Sequence, residues 1–175
     1  TYKNADWGVY NAISNGGNQA GLWRTLTYAE WGYLFDRRNA STVNSTANAR
    51  YAKAVVADVN GIILFPNNFT IPSGVTVPKN INRSGSPYYG NYYTSAQWSI
   101  LENAGCVFLP AAGYRYGILV KYAGSDGNYW STSYYSDDYE YSKDAYILHL
   151  GNSSVGVGGR NARFAGCSVR LVQDL

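Results

Sequence analysis

The sequence predicts an α+β domain with two short helices, a small mixed or antiparallel sheet and abundant loop. Three observations carry that reading. Two capping boxes each open an apolar stripe at helical spacing, four short β-rich runs are bounded by Gly, Pro or Asn, and long stretches between them show no period. The length of 175 residues fits one domain spanning 1–175, large enough to bury a real core.

The first helix is announced by Thr27-Tyr28-Ala29-Glu30, in which hydroxyl and carboxylate satisfy orphan amides reciprocally. Trp31, Leu34 and Phe35 form the apolar stripe behind it, and Arg37 and Arg38 suit the negative end of the helix dipole. The strands begin with 61–66 (GIILFP). A long connection from Pro66 to Thr94, with Pro72, Pro78 and Pro87, is expected as loop. Thr94-Ser95-Ala96-Gln97 opens the second helix, with Trp98 and Leu101 as its apolar face and Gly105 as its stop. Further strands are expected at 106–110 (CVFLP), 145–150 (AYILHL) and 167–172 (CSVRLV), with Asp126-Gly127-Asn128 as a turn. The expected core is Trp23, Trp31, Trp98, Phe108, Leu148, Leu150 and Val169.

Residues 128–161 stand apart. Between Asn128 and Ser142 lie five tyrosines and four serines. Tyr offers large contact area for two side-chain torsions and Ser, Gly and Asn offer adaptable hydrogen bonding, the alphabet of antibody binding loops. In AYILHL, alternation puts Tyr146, Leu148 and Leu150 on one face and Ile147 and His149 on the other. The leucines belong to the core, so Ile147 and His149 are expected to point outward. The Gly-rich GNSSVGVGGRN that follows is expected as loop.

Composition narrows the classes of function. Charged residues make up 14% of the chain against a usual ~25%, while aromatics reach 16% with 18 Tyr. That profile suits an extracellular, cell-surface or virion protein. The net charge of +3 lies off the tyrosine-rich tract, where Asp137, Asp138, Glu140 and Asp144 outnumber Lys143, Arg160 and Arg163. No phosphate-binding stripe of Lys and Arg is present, so nucleic acid is not an expected partner. No apolar run approaches the ~18 residues of a membrane span, and no direct membrane insertion is expected.

The ordered segments DWGVYNAISNGGN, WRTLTYAEWGYLF, GIILFP, CVFLPAAGYR, YWST and GCSVRLV together resemble the C-type lectin fold. More narrowly, the chain is similar to variable proteins of diversity-generating retroelements, found in bacteria (Bacteroides-like gut species among them) and in their phages. Such retroelements replace adenines, with Asn codons as preferred targets, and turn Asn into Tyr, Ser, Asp, Gly, His, Ile, Val, Arg and others. The resemblance implies 128–161 as the variable region, with ligand contacts from Tyr134, Tyr135, Asp138, Tyr139, Tyr141, Ile147, His149, Asn152, Ser154, Val155, Val157, Arg160 and Asn161. Gly151 belongs to the same codon set. It implies a non-enzymatic domain that binds a protein or cell-surface ligand.

Two other functions remain in view. One is a structural adhesin or phage tail-fibre module without diversification. The other is an oxidase of the formylglycine-generating type, a related fold that uses a cysteine pair. Cys106 and Cys167 are expected as buried thiols, with a disulfide and then catalysis as the alternatives. His149 is the lone histidine, so no centre that needs two can form. The carboxylates Asp126, Asp137, Asp138, Glu140 and Asp144 raise calcium, but the Glu-Pro-Asn and Trp-Asn-Asp signatures of calcium-dependent lectins are missing. Neither a metal nor another cofactor is expected.

Overall fold

The computed structural model describes residues 6–13, 17–135 and 143–174. It is a mixed α+β structure with two short helices, isolated helical turns at Trp7–Tyr10 and Tyr88–Gly90, and several small sheets. The helical turn α1 (Trp7–Tyr10) is followed by β1 (Arg24–Thr25), α2 (Tyr28–Gly32), β2 (Tyr51–Val56) and β3 (Val59–Leu64). Then come β4 (Tyr92–Tyr93), α3 (Ser95–Asn103), β5 (Val107–Pro110), β6 (Tyr114–Tyr116) and β7 (Leu119–Lys121). The chain closes with β8 (Gly127–Tyr134), β9 (Asp144–Leu150), β10 (Val155–Ala162) and β11 (Leu171–Val172).

Both capping boxes form. The Thr27 hydroxyl accepts from the Glu30 N–H at 3.2 Å and the Glu30 carboxylate accepts from the Thr27 N–H at 2.8 Å. Thr94 and Gln97 repeat the exchange at the start of α3. α2 runs into a π-helical turn, Tyr33–Arg37, and Arg38 then closes it by donating to the Leu34 carbonyl at 2.7 Å. The same guanidinium reaches the Asn67 side chain and the carbonyls of Arg50 and Phe65. The charge expected to complement a dipole is thus a buried tie between helix and sheet.

The largest sheet has the order β4-β2-β3-β5, and the second has the order β10-β9-β8; β1 pairs with β11, and β6 with β7. The four-stranded sheet is covered on both faces. Ala52, Ala54, Val56, Ile63 and Phe65 join Leu101 and Cys106 in one core cluster, with Trp98 and Phe108 packed against it. Tyr51, Ile62, Leu64 and Leu109 face the other way and join Trp31, Phe35, Tyr129, Leu148 and Leu150 in a second. That second cluster locks the two larger sheets and α2 together.

Several expectations change. The Gly-rich 151–161 segment is largely strand, because β10 pairs with β9 from Val155 to Ala162 around a bulge between Gly156 and Gly159. Strand β8 already begins at Gly127, where a turn was expected. Of 167–172 only Leu171–Val172 is strand. The preceding residues touch β8 through one bridge, Tyr129 to Ser168, which leaves Val169 53% exposed rather than in the core. Trp23 is half-buried. The connection from Pro66 to Thr94 remains loop but buries Phe69, Ile81 and Tyr88, and contains β4.

Gly61 sits where β3 meets β5. A Cβ there would lie 2.5 Å from both the Leu109 carbonyl oxygen and the Phe108 ring. Gly61→Ala is therefore expected to lower the unfolding free energy by about 1–3 kcal/mol through overpacking, measured by urea denaturation. A loss under about 0.5 kcal/mol would mean that the β3–β5 contact yields without cost.

Candidate binding surface

The sheet β10-β9-β8 is anchored through one face. Tyr129, Leu148 and Leu150 are buried in the second cluster, and the Tyr129 hydroxyl donates to the Pro110 carbonyl at 2.8 Å. Strand alternation then commits Asn128, Ile147 and His149 to the opposite face. There, with Tyr114, Ser154, Gly156, Gly159 and Asn161, they line an open depression of about 370 Å³, which Arg160 borders. His149 Nδ1 lies 3.2 Å from Asn128 Oδ1, an arrangement that fixes the ring against β8. The Asn161 side-chain amide donates to the Cys167 sulfur at 3.5 Å, and its Oδ1 accepts from the Ala162 N–H.

Ile147 corrects the sequence reading in part. It faces the depression, but it is 4% exposed rather than displayed. The residue lies in the central strand between its register partners Trp130 and Gly159. It forms a floor, not a rim.

Val155 and Val157 depart further from a shared contact surface. Val155 pairs with Leu150, and both valines pack against the buried cluster under α2. A side chain on Gly32 of that helix would stand 3.9 Å from Val157. Asn152 and Ser154 are exposed at the β9–β10 turn, whereas Gly151 is buried, and a Cβ there would meet His149 at 2.8 Å.

A second group gathers around Tyr146, on the leucine face of β9 but beyond the buried cluster. Tyr28 stacks on Tyr146 with ring centres 4.4 Å apart, and Tyr135 meets it edge-on at 5.3 Å. Arg160, in register with Tyr146, places its guanidinium 4.7 Å from the Tyr135 ring centre. Its Nε lies 3.9 Å from Asp144, an exposed pair of little energetic weight. Tyr134, 66% exposed, extends from the end of β8. Asp138, Tyr139 and Tyr141 lie outside the described residues. Tyr28 and Tyr146 were not among the expected contact residues, since one was read as helix and the other as core.

Sequence reasoning also missed Lys53, whose side chain is fully buried. From β2 its ammonium donates to the carbonyls of Gly151 at 2.5 Å and Asn152 at 3.1 Å, and lies 5.4 Å from the Tyr88 ring centre. It holds the β9–β10 turn, and with it the rim of the depression, to the four-stranded sheet. An Ala-rich context for a lone lysine gave no sign of this.

The cysteines are not bonded to each other. Cys106 is in the first core cluster, and burial raises its thiol pKa to about 12. Cys167, half-buried beside Asn161, is raised to about 11 by burial. Both stay thiols at neutral pH. Among the described residues no three His, Cys, Asp or Glu side chains converge as a metal site. Comparisons with models of protein families, with curated proteins and with solved structures found no match to this chain.

Burial lowers the Lys53 pKa from 10.5 to about 8. Between those values the unfolded chain holds a proton that the native chain does not, so this group makes stability rise with pH from about 8 to 10.5. Urea denaturation across that range should show wild type gaining stability relative to Lys53→Met. A pH-independent difference would refute the burial effect.

Proposed function

We propose that this chain is a non-enzymatic ligand-binding domain. Its outer side chains recognise a protein or cell-surface ligand from a C-type lectin-like scaffold, in the manner of the variable proteins of diversity-generating retroelements. One observation carries the reading. Three paired strands present polar side chains around an open depression, while the reverse face of the same sheet is locked into the core by Tyr129, Leu148 and Leu150. A concavity with a few converging polar groups on a rigid sheet suits recognition.

The aromatic group of Tyr28, Tyr135 and Tyr146 beside Arg160 supplies the residue types in which interface energy concentrates. The protonated thiols, Cys106 buried and Cys167 half-buried, favour binding over cysteine chemistry. The place of action that follows is extracellular, at a cell surface or on a virion.

The reading expects ligand contacts to be separable from stability. In a screen against purified surface proteins and glycans, a hit of the wild type should weaken at least about tenfold in Tyr134→Ala/Arg160→Ala. The melting temperature should shift by no more than about 4 °C. A hit retained by that variant would move the binding surface elsewhere. DNA flanking the coding sequence should hold a reverse transcriptase gene and a near-copy of the 3′ coding segment differing at adenines. Their absence would remove the retroelement reading and leave the binding reading to the screen.

A further inference from the structure

The β6–β7 hairpin turns through Gly117-Ile118. Gly117 has φ +60°, and a side chain there would meet nothing within 4 Å. At the apex Ile118 is 92% exposed. Leu119, Val120, Tyr122 and Phe164 are each more than half exposed and Tyr116 nearly so, with Phe164 packed edge-on to Tyr116 at 5.3 Å. Soluble domains rarely leave so many large apolar side chains together in water.

Their order along the hairpin is informative. Behind Ile118 comes the rung Tyr116–Leu119, then Arg115–Val120, then Tyr114–Lys121. A strand advances about 3.3 Å per residue, so the cations stand roughly 7–10 Å behind the apex. Apolar tip, aromatic shoulder and cationic collar follow the polarity gradient from acyl chains to anionic headgroups. Lys121 lies over the Tyr116 ring at 4.9 Å and can extend its ammonium outward along that shoulder. Residues 113–122 contain two cations and no acid, and the adjoining 163–172 repeat that balance with Arg163 and Arg170.

We propose that the β6–β7 hairpin docks this domain on anionic lipid bilayers, inserting Ile118 and Leu119 into the interface while Arg115 and Lys121 engage headgroups. The contact is interfacial and needs no spanning segment, but it departs from the expectation that no part of the chain enters a bilayer. It is independent of the ligand-binding reading. The rival occupant is a second copy, because among the described residues no strand pairs with the outer edge of β7 at Val120. Pairing two such edges would bring together the cations of both copies with no acid between them. An anionic surface relieves that charge.

Co-sedimentation with vesicles tests the proposal. The intact chain should bind vesicles of phosphatidylcholine with about one third phosphatidylglycerol, bind phosphatidylcholine alone more weakly, and be released by salt. Ile118→Asp/Leu119→Asp should lower the vesicle-bound partition coefficient at least about tenfold with an unchanged melting temperature, since both side chains are exposed. Lys121→Glu should weaken binding chiefly at low salt, and Ile118→Trp should add blue-shifted emission when anionic vesicles are present. Failure of the wild type to bind anionic vesicles, or undiminished binding by the double Asp variant, overturns the proposal. So does a dimer in sedimentation velocity that the double variant dissolves while neither protein binds vesicles; that result assigns the hairpin to a second copy.

Discussion

Everything displayed on the β8–β9–β10 sheet depends on one buried contact, that of Tyr129, Leu148 and Leu150 with Trp31 and the inner side of the four-stranded sheet. Both leucines are wholly shielded from water, and truncating such a side chain commonly costs about 2–5 kcal/mol. The contact fixes the phase of β9, and phase fixes everything else. A shift of one residue would bring His149 and Ile147 into the core and turn the leucines outward. The depression is therefore a by-product of how the core is filled, with Ile147 and Asn128 buried in its floor and His149 and Asn161 tied to neighbouring side chains.

Much of this was legible where local chemistry is self-sufficient. The Thr27–Glu30 and Thr94–Gln97 boxes satisfy their own amides within four residues, and both helices start where those residues stand. The phase of β9 followed from two leucines at spacing two. What escaped notice depends on partners distant in sequence. β10 carries three glycines and little β-propensity; it is a strand because β9 offers it a ladder. β2 turns into β3 through Ala57 and Asp58, both with positive φ, where an Asn-Gly pair would have signalled a hairpin. The inward turn of Val155 and Val157 follows from the same pairing. So does the division of the expected contact residues between the depression, the Tyr146 group and the core. A codon set acts on residues one at a time and carries no information about which face of a strand they occupy.

Few charged residues are present, and two of the cations are spent inside. Arg38 and Lys53 are both buried, burial lowers the pKa of each, and among the described residues neither donates to a carboxylate. Their principal acceptors are main-chain carbonyls at places where a helix ends, a strand begins or a hairpin turns. A loop-rich fold has many such oxygens out of reach of regular ladders, and a long cationic side chain can collect several at once. Arg38 secures α2 to the sheet, and Lys53 secures the β9–β10 turn. Two positive charges thereby replace secondary structure that the loops do not supply.

The bulge in β10 has a consequence for how this molecule can change. An ideal Cβ on Gly156 or Gly158 would meet no atom within 4 Å beyond the adjoining residues, and neither glycine has the left-handed backbone that demands it. Gly156 lies in the lining of the depression itself. These are blank positions, where a Cβ can be added by a single replacement without displacing an existing neighbour. The concavity can thus be re-contoured from within its own lining, giving natural variation or a protein engineer a vacant address beside Ile147 and His149.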